Sequence, residues 1–93
     1  MTELQITVQS TPNPNAAKFT LDRKLPDGRG RSYFDAETAR GDQLAERLFE
    51  VEGVRALLLV DNFITVTKTD EEEWADLVSQ IETVIRDELG TGT

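Results

Sequence analysis

The segment Val54-Arg55-Ala56-Leu57-Leu58-Leu59-Val60-Asp61-Asn62-Phe63-Ile64-Thr65-Val66-Thr67-Lys68 decides how the chain must fold. Val54, Ala56, Leu57, Leu58, Leu59 and Val60 form a nearly continuous apolar run. It is too short for a helix and has the character of a central strand covered on much of both faces. Asp61-Asn62 is a two-residue connection of a type that tolerates positive φ, and Phe63–Lys68 then alternates, so the segment reads as a β-hairpin. Phe63 stands out of phase with Ile64 and Val66. Either the sheet is covered on both sides, or a large ring is left for a partner.

Upstream of the hairpin, Asp42 is placed to cap a helix whose apolar positions Leu44, Ala45, Leu48 and Phe49 repeat at helical spacing, and Gly53 suits the left-handed turn that ends it. Downstream, Thr69 and Asp70 precede Glu71-Glu72-Glu73 in a capping-box pattern, which also sets negative charge at the positive end of a helix dipole. Trp74, Leu77, Val78, Ile81, Val84, Ile85 and Leu89 follow at three- and four-residue steps as one apolar stripe, and Gly90 closes it. Further toward the N-terminus, Leu4, Ile6 and Val8 alternate with polar residues, as do Ala17, Phe19 and Leu21. Between these two strands Pro12 and Pro14 donate no backbone hydrogen bond and break regular pairing. Pro26-Asp27-Gly28 marks a turn into a third strand around Arg31–Phe34, giving a meander, and 35–41 reads as a loop or one loose helical turn.

The element order is βββ-α-ββ-α: an α+β two-layer sandwich of one mixed or antiparallel sheet with two helices packed on one face. A length of 93 residues predicts a single domain over 1–93, with an ordered core at about 3–89 and a flexible tail at 90–93. Apolar residues at 38% are too many for a disordered chain. No apolar run approaches the roughly 20 residues of a membrane span, and the N-terminus lacks the features of a secretory signal, so the expected compartment is the cytoplasm with no membrane partner. A net charge of −8 repels phosphate backbones and makes nucleic acid an unfavourable partner. The local basic group Arg23, Lys24, Arg29 and Arg31 reads as a solvated hairpin edge rather than an anion site.

Cysteine and histidine are both absent. Without thiolate or imidazole these residues offer no ordinary ligands for an iron–sulfur cluster or structural zinc, no disulfide and no histidine-activated nucleophile. Ser10, Ser32, Ser79 and Tyr33 therefore have no activating base, and no glycine-rich phosphate loop is present, so no catalytic residues and no cofactor are expected. The run Asp70–Glu73 has the chemistry of a hard-metal site. Consecutive helical residues diverge by about 100°, however, so the run reads as a solvated cap rather than a metal site. Asp35, Glu37 and Asp42 match no calcium-loop spacing.

The Thr11-Pro12-Asn13-Pro14-Asn15 segment with Lys18-Phe19, the Leu48-Phe49 and Gly53-Val54 pairs, and the Asp-x-Phe-Ile-Thr-Val hairpin at 61–66 together resemble the N-terminal domain of the Nfu/NifU iron–sulfur scaffold proteins, from about Leu4 to Leu89. In full-length members that domain is joined to one whose C-x-x-C pair holds or transfers the cluster. The resemblance therefore implies a stand-alone, non-catalytic accessory module in iron–sulfur cluster assembly or delivery. Its partner would be an iron–sulfur carrier or client protein, a cysteine-bearing Nfu-type domain among them, or another copy in a weak homodimer. The preorganised, polar segment places a candidate partner-binding patch at Asn13, Asn15 and Lys18, continued by Asp61, Asn62 and Phe63 if both hairpins lie on one side. Two alternatives stand beside it: weak iron binding through surface carboxylates, and a small-molecule regulatory domain, which needs a polar pocket between sheet and helices.

Overall fold

The computed structural model describes residues 5–22 and 30–90. Leu4, the cluster members Arg23, Lys24 and Arg29, the Pro26-Asp27-Gly28 turn and the tail 91–93 lie outside the described residues, as does the side chain of Leu89. Among the described residues five strands and two α-helices follow one another as β1 (Ile6–Ser10), β2 (Ala16–Leu21), β3 (Arg31–Tyr33), α1 (Gln43–Phe49), β4 (Val54–Val60), β5 (Phe63–Lys68) and α2 (Trp74–Ile85). The sheet is antiparallel throughout, in the order β1-β2-β5-β4-β3.

The β4–β5 hairpin forms as its pattern requires, with Val60 opposite Phe63 and Asp61 at φ 48. The order corrects the expected meander: β3 pairs with β4 at the far edge, Tyr33 opposite Leu57, and not with β2. Both edges of β2 are already taken, by β1 on one side and by β5 on the other, where Phe19 lies opposite Ile64. Burying Phe19 and Ile64 against each other in mid-sheet outweighs the convenience of a local β2–β3 turn.

One face of the sheet carries Phe19, Leu21, Leu57, Leu59, Ile64 and Val66, all buried against Leu44, Ala45 and Leu48 of α1 and Leu77, Ile81 and Ile85 of α2. Each large side chain so covered contributes about 1.5–3 kcal/mol before entropy is subtracted. The other face carries Ala56, Leu58, Val60, Phe63, Thr65 and Lys18, only half-buried. The nearly continuous apolar run of β4 thus belongs to a strand covered by helices on one face only, with its second set of apolar side chains packed among sheet neighbours.

Asp42 caps α1 as expected, its Oδ1 accepting from the Ala45 N–H at 3.3 Å while Oδ2 receives Arg31 and the Tyr33 hydroxyl. Residues 36–41 form turns that bury Ala39 against the core. The start of α2 departs from the capping-box expectation. The helix begins at Trp74 behind Glu73, which makes no side-chain cap bond, and Asp70 is turned instead toward Asn15. Beyond Ile85 the backbone widens into a π-helical turn over Arg86–Gly90.

Gly53 sits at φ 101, and a Cβ there would run into the side chain of Glu72. Gly53→Ala combines backbone strain with a clash and is expected to lower stability by about 1–3 kcal/mol. Urea unfolding should show a lower midpoint with an unchanged slope.

Candidate functional site

The segment between β1 and β2 is shaped first by its own side chains. The Thr11 hydroxyl lies 2.9 Å from the Asn13 carbonyl and accepts from the Asn13 N–H at 3.2 Å. Asn13 Oδ1 accepts from the Asn15 N–H at 2.9 Å, and the Ala16 N–H closes the turn on the Asn13 carbonyl at 3.0 Å. These are the local bonds that asparagine and threonine make in turns, and the prolines hold φ while they form.

Asn15 then ties this turn to the far end of the chain. Its carbonyl accepts from the Lys68 N–H at 2.7 Å, its Oδ1 accepts from Lys68 Nζ at 3.1 Å, and its Nδ2 donates to Asp70. Lys68 continues the inward phase of Ile64 and Val66 and is only 7% exposed. Its amine also donates to the Thr69 carbonyl at 3.3 Å and lies 5.8 Å from the centre of the Trp74 ring. Trp74 donates from Nε1 to the Pro14 carbonyl at 3.0 Å and packs at a tilt on Phe19, centroids 6.4 Å apart. A buried ammonium is stable only where oxygens and a π-face replace water, and all of these meet here. The result is a polar turn locked to both sheet and helix. Lys68, Asp70 and Trp74 are its working parts, and the signal available in the sequence was a lysine at an inward-facing strand position.

The other expected patch residues lie along the open face and at the far end of β2. Lys18 and Phe63 meet on the open face, the ammonium 4.3 Å from the ring centre. Asp61 is exposed at the β4–β5 turn, whereas Asn62 is occupied with β2, donating from Nδ2 to the Leu21 carbonyl at 3.2 Å and accepting from the Leu21 N–H at 2.7 Å. Ala16 lies opposite Thr67 and Thr20 opposite Phe63, so the Asn13–Asn15 turn and the Asp61-Asn62 turn sit at opposite ends of β2, with Lys18 and Phe63 between them.

Clefts on the described surface include one of about 340 Å³ that runs between α1 and α2 past Arg47, Val51, Ser79 and Val84. Hydrogen bonds to Glu88 and Asp87 raise the Arg47 pKa above the ordinary arginine value. Another, of about 160 Å³, lies beside β1 between Val8, Pro14, Ala17 and Trp74. Among the described residues no three acidic side chains converge as a metal site would need, and no helix is long and apolar enough to cross a membrane.

A family model described as the N-terminal domain of scaffold protein Nfu/NifU matches residues 6–92. The chain is 38% identical over 88 residues to a Drosophila ananassae protein named NFU1 iron-sulfur cluster scaffold homolog, mitochondrial, covering 94% of this chain and 31% of that protein. It thus spans about a third of the curated relative's length. Its fold is similar to the crystal structure of protein SAV1430 from Staphylococcus aureus, with a TM-score of 0.72 at 26% identity, covering 87% of this chain and 98% of that one. It is also similar in fold to the solution structure of a NifU-like protein from Saccharomyces cerevisiae, with a TM-score of 0.81 at 22% identity, covering 94% of this chain and 79% of that one.

Asn15→Ala removes an acceptor from the Lys68 amine and a donor from Asp70. Loss of about 1–3 kcal/mol of stability is expected from the polar groups left unsatisfied. The emission of Trp74 should shift to longer wavelength at native pH as the turn loosens around its ring.

Proposed function

Because the chain belongs to the family of Nfu/NifU scaffold N-terminal domains, we propose that it is a non-catalytic binding module that assists iron–sulfur cluster assembly or delivery by docking on another protein. The observation that carries this reading is chemical. A scaffold-family segment without a single cysteine or histidine lacks the soft donors a cluster requires, so its contribution must come through shape and surface. The partner is an iron–sulfur carrier or client, a cysteine-bearing Nfu-type domain being one such protein, and the chain itself is a monomer or weak homodimer. Its place in the cytoplasm belongs to the same reading, while the Drosophila relative is named as mitochondrial.

The docking patch is proposed at Asn13, Asn15 and Lys18, continued along the open face by Phe63 to Asp61 and Asn62. Asn13, Lys18, Phe63 and Asp61 offer side-chain surface, whereas Asn15 and Asn62 spend their amides on Lys68, Asp70 and Leu21 and hold the backbone in shape. A surface fixed in advance loses little entropy when a partner arrives.

Affinity capture from cells, read by mass spectrometry, is expected to recover cluster-assembly proteins with the wild-type chain and to lose them with a folded Asn13→Ala, Lys18→Ala double variant. Recovery of none by the wild type would overturn the reading. Anaerobic incubation with ferrous iron and sulfide should leave the desalted protein colourless, and stoichiometric brown iron would contradict it equally.

A further inference from the structure

β1 is an edge strand whose outer side pairs with nothing among the described residues. The Asp22 N–H donates to the Gln5 carbonyl at 3.1 Å, which fixes the alternation: Gln5, Thr7 and Gln9 turn their backbone groups toward β2, and Ile6, Val8 and Ser10 turn theirs outward. Edges of this kind are ordinarily blunted by charge, proline, bulges or extreme shortness. β1 spans five residues with none of those charges or prolines and keeps regular register along its length, whereas the opposite edge, β3, has three residues and carries Arg31.

The side chains of Ile6, Val8 and Ser10 point to the helix face, yet Val8 is 37% exposed because the helices do not extend over this edge. The 160 Å³ cleft lies on that face, walled by Val8, Pro14, Ala16, Ala17 and Trp74. Clefts that hold drug-sized ligands run to about 300–1,000 Å³, so this one has the scale of a single aliphatic side chain. Its wall is fixed by the bond from Trp74 Nε1 to the Pro14 carbonyl. A strand added beside β1 would lie about 4.8 Å away and send alternate side chains down the same face as Val8, toward this cleft.

Charge selects the occupant. The exposed carboxylates Glu71, Glu73 and Asp76 flank Trp74 in the chain, and β1 itself is uncharged. A second copy carries the same net charge of −8 and is repelled, whereas a basic segment is attracted there. We propose that the outer edge of β1, with the cleft under Trp74, binds an extended basic peptide segment of a partner protein by strand addition, one leucine-sized side chain filling the cleft. The inference rests on the reading of the chain as a partner-binding module and names the form that partner presents.

The test uses the isotope-labelled chain titrated with an octapeptide of alternating lysine and threonine bearing one central leucine. Amide shifts at Ile6–Ser10 and at the Trp74 indole are expected, with slowed hydrogen exchange at Ile6, Val8 and Ser10. Replacing the leucine by alanine should weaken binding roughly tenfold or more, and added salt should weaken it further. N-methylation of alternate peptide residues should abolish binding in one phase and spare it in the other. Shifts elsewhere, no saturable shifts, or equal loss from both N-methyl phases would overturn the proposal. So would concentration-dependent β1 shifts without peptide, which assign the edge to a second copy. Peptide binding without capture of cluster-assembly proteins leaves strand addition standing and removes the assembly role; capture without peptide binding does the reverse.

Discussion

Seven and twelve residues of α-helix cover one face of a five-stranded sheet except along its β1 edge, and leave none for the other face. Most of the architecture follows from that limit. Among the described residues every large fully buried side chain, from Phe19 and Ile64 in the sheet to Leu48 and Ile81 in the helices, points into a single layer. The apolar residues left on the other face, Leu58, Val60 and Phe63, are half-buried among their neighbours in the sheet, with the ammonium of Lys18 over the ring of Phe63. A domain of this size has apolar material for one core and little more.

The elements set by local pattern were readable from the amino acids. The period of two in Phe63–Lys68, the stripe of α2 and the Asp42 cap each depend on residues within a few positions of one another. The partner of β3 was not readable, because it depends on which strand edges remain free once β2 has met β5, a long-range outcome that no window of sequence contains. The start of α2 was misread for a related reason. Asp70 has the right chemistry to cap a helix, but an asparagine 55 positions away competes for the same carboxylate and holds it.

The site was legible to a similar depth. Two prolines around Asn13 announced a preorganised turn, and the local bonds among Thr11, Asn13 and Asn15 are those the residue types favour. What the sequence hid was the anchoring: Lys68 beneath Asn15 and Trp74 against Pro14 join segments that are remote in the chain. The separation of the two sheet ends was equally hidden, since only the antiparallel register of β2 with β5 places Asp61 and Asn62 away from Asn13.

That register also has a consequence during synthesis. Asn15 leaves the ribosome 53 positions ahead of the lysine that will hold it, and at about 5–20 residues per second the interval is roughly 3–10 s. For most of it the first hairpin carries Phe19 with β1 on one side, no β5 yet on the other and no α2 over it. The polar residues alternating through β1 and β2 therefore serve the nascent chain as well as the finished one, keeping a half-built sheet wettable until the remaining three strands emerge.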